Sequence, residues 1–189
     1  MIVVGGSLGG FNAVQSILAR LPLRFQMPVA VVLHRNREPG SLLQDGLQRH
    51  CALPIVEVED KEPIEPGHVY LGPPDYHLLV ERTHFALSAD EPVNYARPSI
   101  DVLFESAADA FGVALIGVVL TGASQDGARG AARIQDRGGI VIVQDPASAE
   151  RPEMPAAALA AAPMSQVQPL EQIASTLLRM GGHVLPGTP

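Results

Sequence analysis

Ile2-Val3-Val4-Gly5-Gly6-Ser7-Leu8-Gly9-Gly10 runs from an apolar triplet into a glycine turn, after which Phe11, Val14, Ile17, Leu18 and Leu21 recur at helical spacing up to Pro22. The stretch reads as a strand, a tight turn and an amphipathic helix. Val29 to Leu33 is a second compact β-rich run, Ser41 to His50 has a helical pattern, and Ile55 to Val58 is a third run. This βαβαβ order predicts a parallel sheet, because each parallel neighbour needs a crossover and helices supply it on both faces.

Further along, the texture changes and then returns. Asp60 to Asp90 is punctuated by Pro63, Pro66, Gly67, Gly72, Pro73 and Pro74, which set off His68 to Leu71, His77 to Arg82 and Phe85 to Ser88. An inserted antiparallel hairpin region is expected there. Ser99 is placed to cap a helix from Ile100 to Ala110. Val113 to Leu120 is the longest strand candidate and is expected to be central. Thr121 to Gly127 then forms a polar turn before a helix from Ala128 to Asp136, with Gly138-Gly139 breaking that helix ahead of a strand from Ile140 to Val143. Helices are expected over Met154 to Ala162 and Leu170 to Met180. The predicted fold is a doubly wound, mostly parallel α/β sheet, forming one domain over residues 1–180 with a mobile tail at 181–189.

Composition restricts the function classes. The chain has 189 residues, 47% hydrophobic and 17% charged, which suits a sheet covered on both faces. A net charge of -7 argues against a nucleic-acid binder, which needs a concentrated basic face. Arg35 and Arg37 beside His34, or Arg129 and Arg133 one helical turn apart, are the available basic pairs, although ordinary solvated arginines explain each singly. The one cysteine, Cys51, has no partner for an internal disulfide and is expected to be a buried filler. No apolar run approaches the roughly 20 residues of a membrane span, no paired Cys or His-x-x-x-His spacing suggests a metal, and a cytoplasmic location is expected.

Gly5-Gly6-Ser7-Leu8-Gly9 matches the nucleophile-elbow pattern G-x-S-x-G, in which a tight strand-to-helix turn lifts a serine above the end of a sheet. Glycines after a first strand also hold pyrophosphate, but G-x-G-x-x-G does not fit here and His34, rather than an acid, follows the second strand. On the loop alone, a nucleophile, a phosphate site and plain helix-strand packing remain open. Ser7, His34 and Asp126 each follow a predicted strand, and the carboxyl ends of parallel strands share one edge, where open α/β folds place their sites. A serine hydroxyl needs a base to take its proton, an imidazole can return that proton to a leaving group, and a carboxylate fixes the imidazole tautomer. Ser7, His34 and Asp126 are therefore the candidate nucleophile, base and orienting acid, with the backbone N–H of Leu8 beside the helix start as an oxyanion donor. Singly, a capping serine, a strand-end histidine and a turn aspartate would explain them. His77, after Asp75, is the main competitor for the base; His50, His68, His84 and His183 lie in less promising contexts.

The motifs together resemble the CheB-type protein-glutamate methylesterases of bacterial chemotaxis. Gly5-Gly6-Ser7-Leu8-Gly9-Gly10 looks like the family's nucleophile loop, Val32-Leu33-His34 like its histidine strand, and Leu120-Thr121-Gly122 with Asp126-Gly127 like its aspartate loop. Glu65 to Tyr70 and Arg97-Pro98-Ser99-Ile100-Asp101-Val102-Leu103-Phe104 also look like family segments, so the likeness spans roughly residues 1–165. The resemblance implies a serine hydrolase without cofactor or metal, acting on glutamyl methyl esters, and in some members glutamines, of chemoreceptor cytoplasmic domains. It also implies a backbone oxyanion donor at Ala123. The chain departs from the usual family residues at Leu8 for Thr, Ala123 for Met, Gln125 for Asn and Glu153 for the Gly of Gly-Met-Pro, and it starts at the catalytic strand without the family's receiver domain. These departures raise the alternative of a catalytically weakened protein that binds receptors or scaffolds them. Nucleotide binding at the glycine loop is a third, weaker reading.

Overall fold

A computed structural model of the chain describes residues 1–34 and 40–181. Its strands are β1 (Ile2–Gly6), β2 (Val29–Leu33), β3 (Ile55–Glu57), β4 (Val69–Leu71), β5 (His77–Val80), β6 (Phe85–Ser88), β7 (Ile116–Val119), β8 (Ile140–Gln144) and β9 (Gln166–Gln168). The helices are α1 (Gly10–Leu18), α2 (Gly40–Gln48), α3 (Ile100–Phe111), α4 (Ala128–Asp136), α5 (Glu153–Ala161) and α6 (Leu170–Gly181). Seven strands form one sheet in the order β3-β4-β2-β1-β7-β8-β9, with every neighbouring pair parallel. β5 and β6 pair antiparallel as a separate two-stranded sheet.

Alternation along the strands divides the core in two. Ile2 and Val4 of β1, Val29 and Val31 of β2, and Val118 of β7 join Val14, Ile17 and Leu18 of α1, Leu47 of α2 and Ile173 and Leu177 of α6 on one face. Val3, Val32 and Val119 point the other way, onto Ile100, Leu103 and Phe104 of α3, Ala131 and Ile134 of α4, Ala158 of α5, and Leu78 and Phe85 of the hairpin. Helices and hairpin thus cover both faces, as the doubly wound reading requires.

Four expectations are corrected. His68 to Leu71 is not part of an antiparallel region: Val69–Leu71 is fully buried β4, parallel to both β2 and β3, and it reaches the sheet by a crossover with no helix. Its three apolar residues face covered layers on both sides, so a period of two is invisible. The Val113 to Leu120 run begins with a 3₁₀ turn at Gly112–Ala114, and the central strand is β1 rather than β7. β9 was not expected, because an exposed three-residue edge strand such as Gln166–Gln168 needs no apolar face. Ser99 occupies the N-cap position of α3 but makes no capping bond with its side chain, which is drawn to Asp126 instead.

Several other sequence readings meet a definite environment. Cys51 is buried, and burial pushes its thiol up despite a backbone hydrogen bond at Leu53. Arg129 pairs with Glu105, and Arg133 joins Asp109 at 2.8 Å, so these arginines tie α4 to α3 rather than forming an open basic patch. Arg35, Arg37, His183 and the tail from residue 182 lie outside the described residues, and Gly181 is the last residue of α6. Among the described residues no helix is long and apolar enough to cross a membrane. No group of His, Cys, Asp or Glu among them is placed to hold a metal ion.

Phe104 anchors the α3 layer: it is 0% exposed and its side chain touches the site where a Cβ on Gly117 or Gly130 would stand. Phe104→Ala is expected to destabilise the fold by about 3–5 kcal/mol, read as a lowered urea midpoint with unchanged slope.

Candidate active site

The carboxyl edge of the sheet gathers the three sequence candidates. β1 delivers Ser7, whose N–H donates to the Thr121 carbonyl at 3.0 Å and whose carbonyl accepts from Gly10 N–H at 2.7 Å. β2 delivers His34, whose N–H donates to the Gly6 carbonyl at 3.1 Å. Asp126 arrives on the loop after β7, and its Oδ2 lies 2.7 Å from His34 Nε2. Gly122 in that loop presses against the serine: a Cβ there would stand 2.8 Å from Ser7 Cβ and 2.5 Å from Met154 Cε. A side chain at position 122 would therefore push the aspartate loop off the nucleophile turn. Among the described residues Ser7 Oγ is not hydrogen-bonded to His34; the structure joins His34 to Asp126 directly and brings Ser7 to the same edge through backbone bonds.

Asp126 is a carboxylate with 0% exposure, which is costly unless its lone pairs are filled. They are. Oδ2 accepts from His34 and from Ile100 N–H, both at 2.7 Å. Oδ1 accepts from Ser99 Oγ at 2.8 Å, Asp101 N–H at 3.0 Å and Gly127 N–H at 3.1 Å. The first free amides of α3 thus close on Asp126, whose charge also meets the positive end of that helix. Burial on its own would raise this carboxyl, but the hydrogen bonds from His34, Asp101, Ile100 and Ser99 outweigh it and hold the acid below its usual range. An ionised Asp126 accepts only, so His34 Nε2 carries a proton and donates it, which leaves Nδ1 as the nitrogen able to act as a base.

Asp101 makes the reciprocal connection. It stands in the first turn of α3, yet its Oδ1 accepts from Gly127 N–H at 2.9 Å and Gly130 N–H at 2.8 Å, at the start of α4. Gly127, at φ 93°, supplies the left-handed turn that brings these amides round, and a Cβ there would strike Ile100 Cγ2. Burial raises the Asp101 carboxyl, the Gly130 bond lowers it, and the nearby Asp126 charge raises it again. Each helix is capped by an acid that belongs to, or immediately precedes, the other.

Thr121 and Gln144 also hold the site; the sequence named Thr121 only as part of the aspartate-loop motif and did not single out Gln144. Thr121 Oγ1 donates to the Leu8 carbonyl at 3.0 Å and accepts from Arg151 N–H at 2.8 Å, while Gln144 Oε1 accepts from Thr121 N–H at 2.9 Å. One hydroxyl therefore ties the nucleophile turn to the loop before α5. A signal existed for Gln144, a polar residue directly following the apolar run Ile140 to Val143. His77 is removed as a base: it is 2% exposed, accepts from Ser99 N–H at Nδ1 and donates from Nε2 to the Glu91 carbonyl.

A cavity of about 210 Å³ opens beside His34, bounded by Ser124 and the segment Asn94 to Pro98. A larger one, about 850 Å³, lies at the opposite edge of the sheet among Met27, Phe111, Val113, Ile116 and Ile140. Of the two, the smaller borders a candidate residue, His34, and the larger borders none of the three.

Asp126→Asn puts an amide NH₂ where either carboxylate oxygen now accepts N–H donors, so no flip satisfies the site. A loss of about 1–3 kcal/mol at neutral pH is expected. The wild-type contribution from Asp126 is present above the unfolded carboxyl pKa of about 4 and is lost as pH falls through its lower folded value. Asp101 runs oppositely, its contribution declining as pH rises from about 4 through its raised folded value. Urea unfolding from pH 2 to 7 should therefore show a shallower acid loss in Asp126→Asn than in the wild type; parallel curves would contradict the assignment.

Comparison with known proteins shows the family. Residues 2–177 match the family model described as CheB methylesterase. A Leptospira interrogans protein with methylesterase and glutaminase activities in its name is 44% identical over 180 residues, covering 95% of this chain and 93% of the relative. A Trichodesmium erythraeum protein-glutamate methylesterase/protein-glutamine glutaminase is 33% identical over 186 residues, covering 96% of this chain but 53% of the relative. The crystal structure of the Thermotoga maritima CheB methylesterase catalytic domain superposes with a TM-score of 0.90 at 31% identity, covering 95% and 97% of the two chains. The chain belongs to the CheB methylesterase family.

Proposed function

We propose that this chain is a protein-glutamate methylesterase that hydrolyses glutamyl methyl esters on chemoreceptor cytoplasmic domains, with Ser7, His34 and Asp126 as its triad and residues 1–180 as one catalytic unit. The observation that carries the reading is the 2.7 Å contact between His34 and a fully buried Asp126 at the strand edge that also presents Ser7. Family membership supplies the substrate class.

The chemistry follows from the tautomer. Ser7 Oγ attacks the ester carbonyl as its proton passes to His34 Nδ1, and the resulting imidazolium is stabilised by Asp126. The tetrahedral oxyanion is received by the N–H groups of Leu8 and Ala123. Among the described residues neither amide donates to a protein acceptor, which leaves both available. His34 then returns the proton to the leaving methoxide, methanol departs, and a glutamyl ester remains on Ser7. Water, deprotonated by the same imidazole, attacks the acyl carbonyl; the acyl–Oγ bond breaks, Ser7 Oγ takes the proton back from His34, and the glutamate carboxylate is released. For a glutamine substrate the leaving group is ammonia.

The departures at Leu8 and Ala123 leave this scheme intact, because both positions act through their backbone and both side chains point to solvent. The filled hydrogen-bond shell of Asp126 serves the start of α3 as well as His34, and it is the His34 contact at 2.7 Å that supports an enzyme over the scaffold reading.

Methanol release from a methylated chemoreceptor fragment tests the proposal. Ser7→Ala and His34→Ala are each expected to lower kcat by about 10³-fold or more while remaining folded. Full activity in Ser7→Ala would overturn the mechanism, and failure of the wild type to release methanol would overturn the substrate.

A further inference from the structure

Beside His34 the chain makes a small hairpin of its own. Val93 and Ala96 pair antiparallel, with Val93 N–H donating to the Ala96 carbonyl at 3.1 Å and Ala96 N–H to the Val93 carbonyl at 2.9 Å. The two residues at the tip, Asn94 and Tyr95, have φ of 52° and 63°. Two successive left-handed residues are the signature of a type I′ turn, whose favoured sequence is Asn-Gly. Asn94 fits this preference. Tyr95 does not: it occupies the position glycine would take without strain, and an aromatic side chain there is a backbone outlier.

Among the described residues the Tyr95 side chain makes no hydrogen bond or ring contact that would offset that conformation. Tyr95 has a relative exposure of 105%, the highest of any large apolar residue among those described. The turn itself is held firmly, because Asn94 Nδ2 donates to Asp101 Oδ2 at 3.0 Å and to Asp126 Oδ1 at 3.4 Å. The ring is therefore carried on a support fastened to the carboxylates behind the histidine, and it borders the same cavity of about 210 Å³ as His34. A strained, unpacked aromatic residue fixed at the mouth of a reaction site has the properties of a contact made only with substrate.

We propose that Tyr95 is a specificity-determining residue that lays its ring against the polypeptide surface surrounding the scissile glutamyl ester. The proposal rests on the methylesterase reading above and deepens it. The contact is remote from the ester carbonyl and is equal in ground state and transition state, so it governs KM for a folded protein substrate and leaves the chemical step alone. A small ester has no surface to offer the ring and does not sense it.

Tyr95→Gly is the direct test, because glycine keeps the type I′ turn and relieves its strain. It is expected to raise KM for a methylated receptor fragment about tenfold with kcat unchanged, as for loss of an aromatic anchor. Its turnover of p-nitrophenyl acetate should equal that of the wild type, and its Tm should be equal or higher. Tyr95→Phe should keep the wild-type KM, since the ring face makes the contact. An unchanged KM in Tyr95→Gly, alongside a wild type that releases methanol, overturns the role of Tyr95 alone. Equal losses on receptor fragment and small ester also overturn it, because they report a disturbed site. A wild type that cleaves the small ester through Ser7 but not the receptor fragment overturns the methylesterase reading and this proposal with it.

Discussion

A carboxylate with no access to water governs the architecture of this protein's reaction edge. Asp126 has to be charged to hold His34 in one tautomer, and it is charged because the amides of Ile100, Asp101 and Gly127 and the hydroxyl of Ser99 replace its hydration. Taking any of these donors away would leave a buried charge short of partners, a larger loss than the missing bond itself. The approach of α3 to the sheet, the left-handed Gly127 and the path of the loop after β7 are all constrained by that requirement.

The same constraint links the candidate site to stability. Asp126 closes the start of α3, and Asp101 from α3 closes the start of α4, so the two helices share a polar joint directly behind the site. Hydrogen bonds to charged groups contribute more than neutral ones, and here they serve the fold and the imidazole together. The joint explains why Ser99 occupies a cap position without capping: its hydroxyl is worth more to the buried carboxylate than to the helix amides, which Asp126 already serves.

On the opposite side of the serine, the connections are neutral and just as specific. Thr121 links the Leu8 carbonyl to Arg151, and Gln144 fixes Thr121 from the end of β8. The loops after β1, β7 and β8 are thereby set relative to one another by side chains that touch no reacting atom. The residues that differ from the usual family pattern, Leu8, Ala123 and Gln125, all lie exposed around this rigid frame. Variation on the solvent side of a fixed backbone alters which surfaces can approach while the backbone beneath stays in place.

The local sequence was enough to locate β1, the glycine turn and α1, because a β-branched apolar run, turn sterics and helical spacing are all properties of neighbouring residues. It also placed Ser7, His34 and Asp126 after strands of a parallel sheet, which brings them to one edge whatever the strand order. Motif resemblance carried this to a family. The order of the strands was not legible: β4 inserts between β2 and β3, and β9 adds a short polar edge, because both are decided by pairing partners far along the chain. Nor could spacing reveal that Asp101 and Asp126 exchange helices, that Gln144 secures Thr121, or that Tyr95 stands strained and unpacked beside the cavity that His34 borders. The polar contacts among these join residues 23 to 29 positions apart, and each exists only because burial forces a polar group to find a partner once the sheet and helices have closed around it.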